Sequence, residues 1–181
     1  AEKHFQKYVE LDNTSNSFDS LATGYMFAGR YADAIQTLER GKAIDPNLDY
    51  LYTNLARNFI SLGCLRRAEE NILEQSKLTK RESSRMNAQF WLAYIEFLRG
   101  DQEKALHQLS AVEDFYASAP HRARVDESAN LPFWLEGVIA AGRKDLGKLR
   151  EMLTIMESKI SLNGVNTTNY FPVYKYYIHL K

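Results

Sequence analysis

The residues from Phe18 to Pro46, FDSLATGYMFAGRYADAIQTLERGKAIDP, decide how the chain folds. Apolar and small residues recur in this stretch at spacings of three and four, which predicts two short amphipathic helices. Gly29 lies between them, where the backbone must turn back in a left-handed conformation that glycine adopts without strain. Pro46 follows the second helix and helps to stop it. The stretch therefore predicts a helix, a tight turn and an antiparallel second helix.

Four landmark positions of this stretch recur later in the chain. After 34 residues, Leu21, Tyr25, Gly29 and Ala34 return as Leu55, Phe59, Gly63 and Ala68. After a further 37 residues the landmarks are Leu92, Gly100 and Ala105, with Glu96 at the aromatic position. A looser fourth copy contains Trp134, Val138 and Gly142. The glycines permit the turn, and the alanines let two helix backbones approach closely. Such a period predicts a stacked array of helix pairs.

These positions resemble the motif of the tetratricopeptide repeat (TPR) family. The first repeat matches that motif at Phe18, Leu21, Ala22, Tyr25, Gly29, Tyr31, Ala34, Leu38 and Pro46. The second matches at Tyr52, Leu55, Ala56, Phe59, Gly63, Leu65, Ala68 and Ile72, and the third at Leu92, Ala93, Gly100, Ala105 and Leu109. The resemblance implies an all-α fold, an α-solenoid of stacked antiparallel helix pairs that forms a TPR-like superhelix.

The repeat pattern divides one TPR-like domain, residues 1–181, into smaller parts. Complete repeats are expected at 15–48, 49–82 and 86–119, and a degenerate fourth repeat at 128–161. Residues 1–13 are interpreted as the second helix of a truncated repeat, and residues 169–181 as the first helix of another. Half-repeats expose apolar surface, so they predict a piece of a longer array or pairing in a dimer. Residues 116–127, which include Pro120, predict a loop.

The composition is that of an ordinary globular protein, with 45% hydrophobic and 25% charged residues. Basic and acidic residues each number 23, so a strongly basic surface for nucleic acid is not expected. The basic cluster Lys77, Lys80, Arg81 and Arg85 is interpreted as a solvated helix end. No apolar run approaches the roughly 18 residues that span a bilayer, so membrane insertion is not expected. A single cysteine fits a reducing compartment such as the cytoplasm.

The sequence offers no convincing catalytic or metal-binding constellation. None of His4, His107, His121 and His179 has a second histidine or cysteine at the spacing that helical metal sites use. Cys64 follows Gly63 near the start of a helix and is interpreted as a packed thiol rather than a nucleophile. Phosphate-binding loops and the nucleophile elbow of hydrolases have no match in the sequence. We therefore expect a non-catalytic protein with no cofactor and no metal.

The TPR resemblance also implies which residues face the concave side of the solenoid. The first repeat contributes Asp19, Thr23 and Phe27, and the second contributes Thr53, Asn54 and Arg57. The third contributes Phe90, Tyr94 and Phe97, with Trp91 nearby, and the fourth contributes Phe133 and Glu136. Some TPR domains clamp the terminal carboxylate of heat-shock chaperones with lysine and asparagine on this face. Here the matching positions hold Asp19 and Thr53, so that partner is not predicted.

An aromatic wall with one arginine favours a protein or peptide partner with apolar anchors. Arg57 is the best polar candidate, because a guanidinium among apolar side chains can pair with a ligand carboxylate. Trp91 is interpreted mainly as a core residue, whereas core and surface interpretations both stay open for Phe90 and Tyr94. The leading hypothesis is a scaffold that binds a peptide on its concave face. The alternative is an oligomerisation or regulatory module of a larger sensor or regulator, associating through its terminal half-repeats.

Overall fold

A computed structural model describes residues 2–118 and 131–163 of the chain, with side chains for residues 3–118 and 131–155. Within these ranges the chain is helical and contains no strand. The helices are α1 Glu2–Leu11, α2 Ser15–Phe27, α3 Tyr31–Ile44, α4 Asp49–Ser61, α5 Leu65–Leu78, α6 Glu82–Leu98, α7 Gln102–Ser118, α8 Leu131–Gly142 and α9 Leu146–Asn163. The stretch from Phe18 to Pro46 forms most of α2 and all of α3, as expected. The predicted helix at 169–181 lies outside the described residues.

The first compact unit comprises residues 1–95, which hold α1 to α5 and most of α6. From α1 to α5, consecutive helices pack against each other, the last such pair being α4 with α5. Apolar residues at spacings of three and four line the facing sides. The buried core consists of Ala22, Ala34, Leu38, Leu51, Leu55, Ala56, Phe59, Ala68, Ile72, Ala88 and Ile95. This order of consecutive helix pairs confirms the all-α solenoid class.

The second compact unit comprises residues 96–181. In its described part, α8 packs against both α7 and α9. Ala140, Leu149 and Leu153 form a core cluster, and Phe133 and Trp134 pack against it. The prediction of a loop from residue 116 is wrong for its first three residues, because α7 continues to Ser118 and buries Tyr116. The remainder of the predicted loop, residues 119–127, lies outside the described residues.

Two local contacts fix where α2 begins and how closely it meets α3. The side-chain oxygen of Thr14 accepts a hydrogen bond of 3.4 Å from the Ser17 N–H, and the Ser17 oxygen accepts one of 3.2 Å from the Thr14 N–H. This reciprocal arrangement is a capping box, which satisfies backbone donors at a helix start. The Ser15 hydroxyl donates to the Gly41 carbonyl at 2.8 Å. A Cβ on Gly41 would lie only 3.1 Å from Phe18 Cβ, so the two helices cross closely there.

The predicted turn glycines are confirmed by their backbone angles. Gly29, Gly63 and Gly100 have φ values of +73°, +71° and +91°, the left-handed region that glycine adopts without a steric cost. The fourth repeat differs, because the left-handed residue is Lys144, with φ of +59°, and not Gly142. The Asp145 N–H donates a hydrogen bond to the Ala140 carbonyl. This bond lies two residues later in the chain than it would if Gly142 were the turn residue. The sequence match at Gly142 is therefore shifted by two residues.

Substitutions at two of these turns are expected to change the free energy of unfolding in opposite directions. A Cβ on Gly63 would meet no heavy atom within 4 Å, so Gly63→Ala tests backbone strain alone. We expect it to lower the free energy of unfolding by about 1 kcal/mol, whereas Lys144→Gly should raise it by a similar amount. Urea denaturation of both variants measures the two changes. Destabilisation by Lys144→Gly would contradict the assignment of Lys144 to the turn.

Candidate functional site

Three first helices of successive pairs bring polar and aromatic side chains into one continuous row within residues 1–95. Asp19 lies on α2, Asn54 and Arg57 lie one turn apart on α4, and Trp91 and Tyr94 lie one turn apart on α6. Residues three positions apart share one face of a helix, which is why each helix presents its residues together. We call these five side chains the polar–aromatic row. The row contains four of the predicted concave-face residues together with Trp91.

Direct contacts link the polar members of the row from helix to helix. The Asn54 amide Nδ2 donates a hydrogen bond of 2.7 Å to Asp19 Oδ1, which joins α4 to α2. Arg57 Nη1 donates a longer one of 3.4 Å to Asn54 Oδ1. The Arg57 guanidinium carbon lies 5.8 Å from the centre of the Trp91 ring, within the range of a cation–π interaction. Arg57 therefore connects the polar residues to the aromatic ones on α6.

Aromatic contacts order the α6 end of the row. The Trp91 ring lies 5.9 Å from the Tyr94 ring and 5.2 Å from the Phe90 ring, both edge to face. Phe90 and Tyr94 are stacked with their ring centres 6.3 Å apart. Such arrangements are the favourable ones for ring quadrupoles. Phe90 is only 2% exposed, so it supports the surface from behind and does not form part of it.

Trp91 combines core packing with an unpaired polar group. Its ring is partly buried and packs against the core cluster of the first unit. Its indole Nε1–H is buried and has no hydrogen-bond acceptor among the described residues. A buried donor without a partner carries a free-energy cost, so it is an unusual feature. The sequence-based interpretation of Trp91 as a core residue accounts for its packing but not for its contact with Arg57.

Burial and neighbouring charges perturb the titration of three groups at or beside the row. Desolvation raises the pKa of the Asp19 carboxyl, although the Asn54 hydrogen bond and the Arg57 charge both lower it. Burial also raises the pKa of the Tyr50 phenol, and the negative charges of Asp19, Asp45 and Asp49 raise it further. Burial alone raises the pKa of Tyr94. At Asp19, the cost of burying the charge therefore outweighs the stabilising effects of Asn54 and Arg57.

The remaining predicted concave-face residues are distributed differently. Thr23 and Thr53 are partly buried on α2 and α4. Phe27 is 82% exposed at the end of α2 and has almost no packing. Phe97 and Phe133 fall in the second unit, where Phe133 packs against the core cluster. Glu136 is also in the second unit, where it pairs with Lys148.

The second unit contains a charged cluster that the sequence did not indicate. Glu113 lies on α7, Glu136 on α8 and Lys148 on α9, and Lys148 Nζ is 3.1 Å from Glu136 Oε1. Burial, followed by the charge and hydrogen bond of Glu136, raises the pKa of Glu113 to about 7, while Lys148 acts in the opposite direction. Glu113 Oε1 is buried without a hydrogen-bond partner among the described residues. The cluster is interpreted as a pH-sensitive contact between helices.

In the described ranges, the side chains that could act in catalysis or bind a metal ion lie apart from one another. Cys64 is exposed, which contradicts its interpretation as a packed thiol; the residue lies in the turn outside the core. His4 and His107 are exposed as well, and His121 and His179 lie outside the described residues. Within the described ranges, no three histidine, cysteine, aspartate or glutamate side chains lie close enough to hold a metal ion. No helix in those ranges is long and apolar enough to cross a membrane.

Comparison with known proteins identifies the fold. No protein-family model matches the sequence, and no curated protein matches it significantly. The crystal structure of MamA aligns with a TM-score of 0.61 over 88% of this chain and 89% of MamA, at 16% identity. TPR-like repeats of a putative kinesin light chain from Podosopora anserina align with a TM-score of 0.56 over 80% of this chain and 74% of theirs, at 19% identity. The chain has the TPR fold.

A further TPR structure aligns over almost the full length of both chains. YrrB, described as a TPR protein with an unusual peptide-binding site, covers 99% of this chain with 98% of its own length. The TM-score is 0.55 and the sequence identity is 12%. Identities this low establish the shared TPR fold, whereas the function has to be argued from the side chains of this chain.

Proposed function

We propose that this TPR domain is a non-catalytic scaffold that binds a protein or peptide segment along the polar–aromatic row. The observation that carries the proposal is the unbroken set of contacts from Asp19 through Asn54 and Arg57 to Trp91. These contacts join side chains from three first helices, the helices that line the concave side of a TPR array. They hold the polar groups in place before any partner arrives, which lowers the entropic cost of binding.

Arg57 and Tyr94 are suited to different parts of a peptide. A guanidinium has five N–H donors, and among the described residues Arg57 uses one of them, in a hydrogen bond to Asn54. The others are free to bind peptide carbonyl or carboxylate oxygens. Tyr94 is partly buried and supported by Phe90, so it offers a rigid aromatic surface to an apolar side chain. Tyrosine, tryptophan and arginine are the residue types that contribute most to binding at protein interfaces.

Selection from a random peptide library displayed on phage tests the proposal. We expect the native protein to enrich peptides whose affinity falls at least tenfold, about 1.4 kcal/mol, in Arg57→Ala and in Tyr94→Ala. Circular dichroism must show that both variants stay folded. Arg66→Ala is the matched control, because Arg66 lies exposed on α5 and its ion pair in the described part of the chain is with Glu70. Equal affinity of the native protein and both row variants for every enriched peptide would contradict the proposal.

Self-association through the terminal half-repeats is the second candidate function. One observation favours it, since the large apolar side chain of Leu11 at the end of α1 is 78% exposed and available for contact with a second copy. The other predicted half-repeat, at 169–181, lies outside the described residues. Light scattering over a range of concentrations tests the candidate, and we expect Leu11→Ser to weaken any association. A strict monomer at the highest concentration would rule it out.

A further inference from the structure

We propose that the segment bound by the polar–aromatic row carries a lysine or arginine that pairs with Asp19 and an apolar side chain that packs on Trp91 and Tyr94. The inference rests on the proposed function and adds the chemistry of the partner. It assigns the two ends of the row to two different side chains of one peptide.

Asp19 is an oriented carboxylate without a cation of its own. Its Oδ1 is held by the Asn54 amide at 2.7 Å, and among the described residues it forms no ion pair. The nearby cation is Arg57, but its guanidinium donates to Asn54 and lies over the Trp91 ring. A partly buried carboxylate that is fixed in direction and lacks an ion pair is a suitable acceptor for an incoming ammonium or guanidinium.

The surroundings of Asp19 select for positive charge. The negative charges of Asp19, Asp45 and Asp49 each raise the pKa of the Tyr50 phenol, so all three carboxylates act on this one side chain. Within the described ranges, Asp49 forms one ion pair, with the largely exposed Arg81 at 3.5 Å. Burial raises the pKa of Asp19 despite its two favourable contacts, so the charged form is under-compensated in the free protein. A ligand cation would offset that cost, whereas a ligand carboxylate would add to it.

The aromatic end supplies the second contact. Trp91 and Tyr94 are partly exposed, edge to face, and backed by the buried ring of Phe90. Arg57 already covers part of the Trp91 ring, so a cation is less favourable there than an apolar or aromatic side chain. The row therefore places an anionic group and an apolar surface at opposite ends of one line of contacts. That arrangement complements a segment with a basic residue a short distance from an apolar one.

Two peptide selections test this chemistry, one with the native protein and one with Asp19→Asn as bait. The asparagine keeps an oxygen for the Asn54 hydrogen bond but removes the charge. We expect lysine or arginine at a fixed distance from an apolar residue in the peptides that the native protein enriches, and loss of that basic preference with Asp19→Asn. Glu70→Gln, at an exposed position on α5, is the control that removes one negative charge elsewhere. It should leave the preference unchanged.

A defined peptide completes the test without changing the protein. One enriched peptide is synthesised with its basic residue and with glutamine in its place. The native protein should bind the basic form about tenfold more tightly, and Asp19→Asn should bind both forms equally. Enriched peptides without a basic preference, or an equal basic preference in Asp19→Asn, would overturn the inference and leave the proposed function intact. Failure of the native protein to enrich any peptide over the Arg57→Ala, Tyr94→Ala double variant would overturn both.

Discussion

Replacing Ala68 with leucine is expected to lower the free energy of unfolding of the first unit by about 1–3 kcal/mol. Ala68 is completely buried early in α5 and belongs to the core cluster that also contains Leu55, Phe59 and Ile72. Additional methyl groups at such a crossing have no space, so side chains must leave their preferred rotamers or the helices must separate. Urea denaturation in a Trp134→Phe background measures the change, because Trp91 then reports on the first unit.

Glu70→Leu is the control for this prediction, since it adds an apolar side chain to the same helix at an exposed position. Surface substitutions of this kind usually change stability by less than about 0.5 kcal/mol. The same cost for both variants would show that the effect comes from altered composition or helix propensity. No cost for Ala68→Leu would contradict the close approach of α5 to its neighbours.

The repeat landmarks predicted the fold of this chain because each one obeys a local constraint. A glycine with a left-handed backbone and an alanine at a close crossing are required wherever the same turn and crossing occur. The fourth repeat shows where this reasoning ends. Lys144 adopts the left-handed backbone conformation at a free-energy cost that glycine does not have. The large side chain of Leu149 is buried at the position that matches Ala34. The repeat pattern predicts neither a lysine at the turn nor a leucine at the crossing. Matching the sequence to the pattern therefore placed the turn at Gly142, two residues too early.

A paired substitution explains the other departure from the repeat pattern. In the second repeat, the Arg67 guanidinium lies 4.3 Å from the centre of the Phe59 ring. At the matching positions of the third repeat, Lys104 Nζ lies 2.8 Å from Glu96 Oε1. Glu96 is buried, and Arg99 pairs with the same oxygen at 3.0 Å. An ion pair therefore replaces a cation–π contact, which a pattern based on aromatic residues cannot anticipate.

The TPR resemblance predicted candidate site residues but not the contacts between them. Together with helical spacing it places Asp19, Asn54, Arg57 and Tyr94 on the concave side, which stays a prediction. The same spacing could not separate Phe90 from Tyr94, because residues four apart share one face of α6. Burial depends on which helix packs above that face, and this is a tertiary property. In the folded protein Phe90 is buried and Tyr94 is partly exposed.

Replacing Glu113 with glutamine is expected to stabilise the second unit at pH 8 and to leave it almost unchanged at pH 5. Burial and the neighbouring Glu136 raise the pKa of Glu113 from its usual 4.5 to about 7 in the folded state. The folded protein then binds this proton more tightly than the unfolded chain does. The stabilisation from Glu113 is therefore fully present below pH 4.5 and is lost as the pH rises through about 7.

The size of the effect follows from the raised pKa of Glu113 after allowance for solvent. A tenfold change in proton affinity corresponds to about 1.4 kcal/mol, but Glu113 is partly exposed and water screens its interactions, so we expect a total of about 1–2 kcal/mol. Glutamine lacks the charge at every pH and can still donate a hydrogen bond to Glu136, so it removes this loss of stability. The expected result at pH 8 is a higher free energy of unfolding for Glu113→Gln than for the native protein.

Urea denaturation at pH 5 and pH 8 measures the effect in a Trp91→Phe background, because Trp134 packs against the core of the second unit and then reports on it. Asp114→Asn is the matched control, since it removes a solvent-exposed carboxylate next in sequence whose charge contributes least to the raised pKa of Glu113. It should change the stability little at either pH. An equal gain from Glu113→Gln at both pH values would show that the benefit comes from packing. In that case the carboxyl–carboxyl contact between α7 and α8 would not govern the pH dependence of the second unit.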